Sequence, residues 1–129
     1  MDTMIRAVFD SSTLQQATAG EAVQLPDATS SDGCASVSGN TLVLKGKGTY
    51  LVCVNATLQA SAAGALRLQA TRNGMAVPGA QGIGTAAAGD LVPMSFSMLV
   101  TVGCDAERIQ LVPAQACSVR VAQLIAVKA

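Results

Sequence analysis

The chain has 129 residues, of which 50% are apolar, 12% charged and 2% aromatic, with eight cationic side chains balancing eight anionic ones and no histidine or tryptophan. That length fits one domain, since domains commonly run to about 100–150 residues. Zero net charge leaves no basic footprint for nucleic acid or an anionic membrane, and the lack of histidine removes the imidazole base, the His-containing triad and the His metal ligand.

Met1 to Arg6 lacks the basic stretch and apolar core of a secretory signal, and no apolar run approaches the ~20 residues that span a bilayer. The expectation is a protein made in a cytosol, with no membrane partner. Ile5 to Phe9 can be a first short strand. Equally, residues 1–20 can be an attachment or inter-subunit arm with Ile5, Val8 and Phe9 as apolar anchors, leaving 21–129 as the domain proper. Short strand candidates follow at Glu21 to Leu25, Cys34 to Ser38 and Thr41 to Lys45, the last two joined through Ser38-Gly39-Asn40, which supplies positive φ for a tight hairpin. Lys45 and Lys47 flank a glycine turn and are expected to blunt a sheet edge.

The clearest strand is Thr49 to Gln59. Tyr50, Val52, Val54, Ala56 and Leu58 share one face, and Leu51, Cys53, Asn55, Thr57 and Gln59 the other. Ala65 to Thr71 repeats the alternation with Leu66, Leu68 and Ala70 against Arg67, Gln69 and Thr71. Asn73-Gly74 is a strong hairpin signal. Ala76 to Asp90, with Pro78-Gly79 and Gly82, Gly84 and Gly89, reads as a long irregular loop. Pro93 to Val102 then sets Met94, Phe96, Met98, Val100 and Val102 opposite Ser95, Ser97, Leu99 and Thr101. Glu107 to Val112 and Ser118 to Lys128 complete an all-β pattern of eight to ten strands, a sandwich or barrel.

Chemistry-bearing groups are sparse. Ser11-Ser12, Ser30-Ser31 and Ser61 sit in polar turns without a base. Asp27, Asp32 and Asp90 are scattered loop residues. Asp105 and Glu107, the closest carboxylate pair, read as a solvated turn, with calcium ligation as the alternative. The glycines from 79 to 89 lack the Gly-Lys-Ser/Thr ending of a phosphate loop. Cys34, Cys53, Cys104 and Cys117 have no CxxC spacing and no histidine to complete a zinc site; they are expected as unpaired, mostly buried thiols or, alternatively, with Cys104 joined to Cys117. No catalytic residue, metal or cofactor is expected, and the chain is read as a non-enzyme.

Four stretches in order carry a family resemblance: Gly20-Glu21-Ala22-Val23-Gln24-Leu25; Thr41-Leu42-Val43-Leu44 followed by Gly48-Thr49-Tyr50-Leu51-Val52; Asn73-Gly74-Met75-Ala76-Val77-Pro78-Gly79-Ala80; and Val119 to Lys128. Over roughly residues 13–128 the chain resembles the jelly-roll superfamily of tumour necrosis factor and the complement globular head, in the bacterial and phage branch that includes C-terminal domains of collagen-like spore-surface proteins. The resemblance implies a ten-stranded jelly-roll sandwich, a compact homotrimer and no enzymatic activity. Tyr50 is the one aromatic at a matching interface position, and no Gly-x-y repeat precedes the domain.

Leu51, Cys53 and Leu99 independently point to a partner, because a monomeric sandwich favours polar residues on such faces, the alternative being that they lie under the N-terminal segment or long loops. Trimer or core packing is therefore assigned to Tyr50, Val52, Val54, Leu51, Leu99 and Phe96. The expected function is structural: a homotrimeric phage virion surface protein, decorating the capsid or forming a head fibre, partnered by itself and by the major capsid or another virion protein. The alternatives are a receptor- or glycan-binding fibre tip and a spore-surface protein.

Overall fold

Period-two alternation organises the protein. The computed structural model describes residues 4–9, 15–25, 27–30 and 33–128. Its strands are β1 (Met4–Phe9), β2 (Gln15–Ala17), β3 (Ala28–Thr29), β4 (Ala35–Ser38), β5 (Thr41–Leu44), β6 (Gly48–Ala60), β7 (Gly64–Arg72), β8 (Met75–Ala86), β9 (Leu91–Val102), β10 (Glu107–Pro113) and β11 (Cys117–Lys128). They form two antiparallel sheets. The front sheet runs β1-β11-β6-β9, with β2 continuing the β1 edge along the far part of β11, and the back sheet runs β3-β4-β5-β10-β7-β8. No helix occurs among the described residues.

The long strands bury the faces that their alternation marks. Tyr50, Val52, Val54, Ala56 and Leu58 of β6 are all buried, as are Met94, Met98, Val100 and Val102 of β9, with Phe96 half-buried against the same core. Leu66, Leu68 and Ala70 of β7 and Ile109 and Leu111 of β10 close it from the back sheet. Tyr50 has its whole side chain inside and donates its hydroxyl to the Gly46 carbonyl at 2.7 Å. That bond satisfies a polar group that would otherwise be costly to bury.

The stretch expected as a loop from Ala76 to Asp90 is mostly strand, β8, paired with β7 from Gly64↔Ala86 to Arg72↔Met75. Its inward positions are small: Ala80, Gly82 and Ala86 are buried and Gly84 half-buried, while Ile83 and Thr85 face out. This is alternation by size, which a hydropathy reading misses. The small residues are needed because β8 crosses the β9 edge of the front sheet. A Cβ on Gly82 would lie 2.7 Å from Met94 Cβ, and one on Gly84 2.5 Å from Val92 Cγ1.

Two shorter departures have local causes. Glu21 to Leu25 is not a ladder strand; Val23 and Leu25 are buried, but their amides bond singly to the carbonyls of Leu111 and Gly39 at 2.8 Å each. Met4–Phe9 pairs with β11 from Met4↔Val127 to Phe9↔Ala122, and Ile5 packs into the chain's own core at 3% exposure. Ile5 is thus not an outward anchor, while the side chains of Val8 and Phe9 lie outside the described ones.

Candidate functional site

Three of the sequence's catalytic candidates, Ser30, Asp27 and Asp90, are held in structural duties. Ser30 is buried and its Oγ accepts the Ala35 amide at 3.0 Å. Asp27 caps the Gly39 amide and Asp90 the Ala87 amide, each at 3.0 Å. Ser61 and Asp105 are exposed; Ser11, Ser12, Ser31 and Asp32 lie outside the described residues. Among those described, no three His, Cys, Asp or Glu side chains group as metal ligands. Cys104 and Cys117 carry free thiols, the first exposed in the β9–β10 turn and the second buried at the start of β11, so the alternative disulfide is not formed. Burial pushes the Cys117 thiol above its usual pKa, which keeps it protonated and unreactive.

Glu107 departs from the solvated turn expected of it. The β10–β7 register brings it beside Arg72, whose guanidinium donates to both its oxygens at 2.8 and 3.1 Å and also to the Thr101 carbonyl at 2.9 Å. Asn73 adds a donor to the same carboxylate. These bonds, the Arg72 one first, hold the Glu107 carboxyl below the usual carboxylate range. A carboxyl depressed in the folded state contributes stability above its unfolded pKa and loses it as pH falls through the folded value. Urea midpoints should therefore fall on acidification more steeply for the wild type than for Glu107→Gln; parallel curves would place no stabilisation in this pair.

The outward face of the front sheet is different in kind. Register sets Met4 beside Val127, Val127 beside Leu51 and Leu51 beside Leu99, one apolar row across all four strands. Met4, Leu51 and Leu99 are 64%, 40% and 67% exposed. Thr49 and Thr101, with hydroxyls 3.2 Å apart, bound the row on one side. On the other, Arg6, Ile125, Cys53 and Ser97 form a mixed row, and then Gln123, Asn55 and Ser95 a polar one. Ser95 Oγ donates to Asn55 Oδ1 at 2.9 Å, and Asn55 Nδ2 donates to the Gln123 amide oxygen at 3.4 Å. Asn55, Thr57, Pro93, Ser95, Val121 and Gln123 line an open groove of about 320 Å³ there.

Of the six residues assigned to packing, the structure separates two sets. Tyr50, Val52 and Val54 are internal and Phe96 leans on the same core, whereas Leu51 and Leu99 are cross-strand neighbours on the outer face. Met4 and Val127 complete their row and were missed. On β11 both faces are rich in aliphatics, Ala122, Leu124 and Ala126 inward against Val121, Ile125 and Val127, so alternation does not tell one from the other. The exposed Ile83 and Met75 of the back sheet do not make a second row, because their cross-strand neighbours are Arg67 and Arg72.

No protein-family model matches the sequence, and no curated protein sequence matches it. Solved structures do match in shape. The globular domain of zebrafish complement 1qA protein superimposes with a TM-score of 0.68 at 12% identity, over 97% of this chain and 94% of that one. Murine APRIL, in its crystal at pH 5.0, gives 0.75 at 10% identity with both chains covered completely. Eiger TNF from S. frugiperda gives 0.75 at 12% identity over 98% of this chain and 93% of that one. The fold is the jelly roll of tumour necrosis factor-like and complement globular-head-like domains, and at such identity the likeness is one of fold alone.

Proposed function

We propose that this is a non-enzymatic structural protein that assembles as a homotrimer through the outer face of its front sheet, as a surface component of a phage virion. The observation that carries the reading is the row Met4–Val127–Leu51–Leu99. Fully covering one Leu side chain is worth about 1.5–3 kcal/mol, and a contiguous exposed strip of this kind is characteristic of a surface that meets a partner. Closed rotational symmetry covers such a strip on every copy without open polymerisation. The reading of a particle surface is supported by the same economy: Ser30, Asp27 and Asp90 cap backbone amides, and the apolar surplus faces outward as a packing strip.

Light scattering should give a mass of three chains. Leu99→Asp should raise the dissociation constant at least about a hundredfold, because burying an unpaired carboxylate costs several kcal/mol and each 1.4 kcal/mol is tenfold. Ile83→Asp, on the other sheet, should leave the trimer intact. A clean wild-type monomer at micromolar concentration, or dissociation by the Ile83 variant alone, would sink the assembly. Immunogold labelling of purified virions locates the protein; particles that carry none remove the virion assignment while leaving the trimer standing.

A further inference from the structure

The β7–β8 hairpin turns on Asn73 and Gly74, with φ of +52° and +86°, the double left-handed conformation of a two-residue turn. Both residues are exposed, and the space where a Gly74 side chain would stand is empty to 4 Å. The Gly74 peptide thus lies in an exposed turn. The Asn73 side chain, in contrast, is held at both ends. Its Oδ1 accepts the Arg108 amide at 2.9 Å, its Nδ2 donates to Glu107, and its own amide donates to the Arg108 carbonyl at 2.8 Å. Asn73 thus ties the hairpin to β10, and one of its ties is to an ionised carboxylate.

We propose that Asn73-Gly74 is a deamidation site kept latent by the Glu107–Arg108 clamp. In the reaction the Gly74 nitrogen attacks Asn73 Cγ, a new N–C bond forms and the Cγ–Nδ2 bond breaks. The peptide proton and the leaving amide nitrogen depart as ammonia. Water then opens the cyclic imide at either carbonyl, giving aspartate or isoaspartate, so that one water is consumed and one ammonia released. The attack needs Asn73 Cγ to swing toward Gly74, which the two side-chain bonds oppose. After conversion the new carboxylate faces that of Glu107 and has no proton to donate, so the tie between hairpin and β10 becomes a like-charge contact. The isoaspartate product also adds a methylene to the backbone of a two-residue turn, whose length sets the β7–β8 register.

Intact full-length protein is incubated in mildly alkaline buffer, folded or unfolded in urea, and peptide mapping follows the amide-to-acid mass change and isoaspartate at Asn73. The folded chain should convert at least about tenfold more slowly than the unfolded one, because a charge-assisted hydrogen bond must open first. Folded Glu107→Ala should convert several-fold faster than folded wild type. Should that variant not fold, Asn73→Asp supplies the second reading, as a mimic of the product that lowers the urea midpoint. Equal rates in folded and unfolded wild type, an unaccelerated folded Glu107→Ala, an undiminished Asn73→Asp midpoint, or conversion at Asn40 or Asn55 in place of Asn73 would overturn the proposal.

Discussion

Replacing Tyr50 with alanine is expected to cost about 3–5 kcal/mol of folding stability, the range of aromatic truncations in packed cores. The ring is fully internal on β6, the strand that joins β11 to β9 in the front sheet. Its removal leaves a cavity that neighbours held in two sheets cannot collapse to fill. Tyr50→Phe separates ring from hydroxyl: losing the 2.7 Å bond to the Gly46 carbonyl should cost about 1 kcal/mol. Gly46 itself is hemmed in, since a Cβ there would come within 2.7 Å of both Cys34 Sγ and the Tyr50 hydroxyl. Urea unfolding of the two variants checks the order. A change under about 0.5 kcal/mol for alanine is the size of an ordinary surface substitution and would contradict the burial.

Gly84→Ala and Gly82→Ala should each destabilise by about 1–3 kcal/mol, the usual cost of overpacking. Both would-be contacts are with atoms at or next to a branch point, Val92 Cγ1 and Met94 Cβ, so the neighbour cannot move aside by swinging a flexible end. The strain should therefore reach the backbone where β8 passes β9. Gly84→Ala combined with Val92→Ala should recover part of the loss, a coupling that a double-mutant cycle isolates. Gly103→Ala, with open space around it, should stay within about 0.5 kcal/mol. If the three single alanine variants unfold alike, β8 does not depend on this close approach.

What could be read from the sequence follows from where hydropathy alternates sharply. β6 and β9 alternate strongly over 13 and 12 residues, and their inward faces are as expected. β8 reads as a loop in the sequence because its inward residues are Ala and Gly, which carry no hydropathy contrast and, for glycine, mimic a turn signal. β2 and β3, with three and two residues, are too short for periodicity. Glu107 looked solvated because its partner Arg72 lies 35 positions away and only strand register unites them. Leu51 and Leu99 stood out as apolar residues on polar faces, yet the row they form with Met4 and Val127 depends on four strands being in register. Local pattern names the faces; pairing decides which residues share a strip.

The place of β11 also bears on biosynthesis. It lies inside the front sheet, flanked by β1 and β2 on one side and β6 on the other, and it is the last described strand to leave the ribosome. β1 precedes every other described strand and has no neighbour in that sheet until β11 arrives. Domains whose pairings are this distant in sequence fold slowly, and until β11 is made β1 and one flank of β6 present unpaired edges of the kind that invite aggregation. Completion of the front sheet thus waits on β11, and β1 is the described strand most dependent on holding factors in the interval.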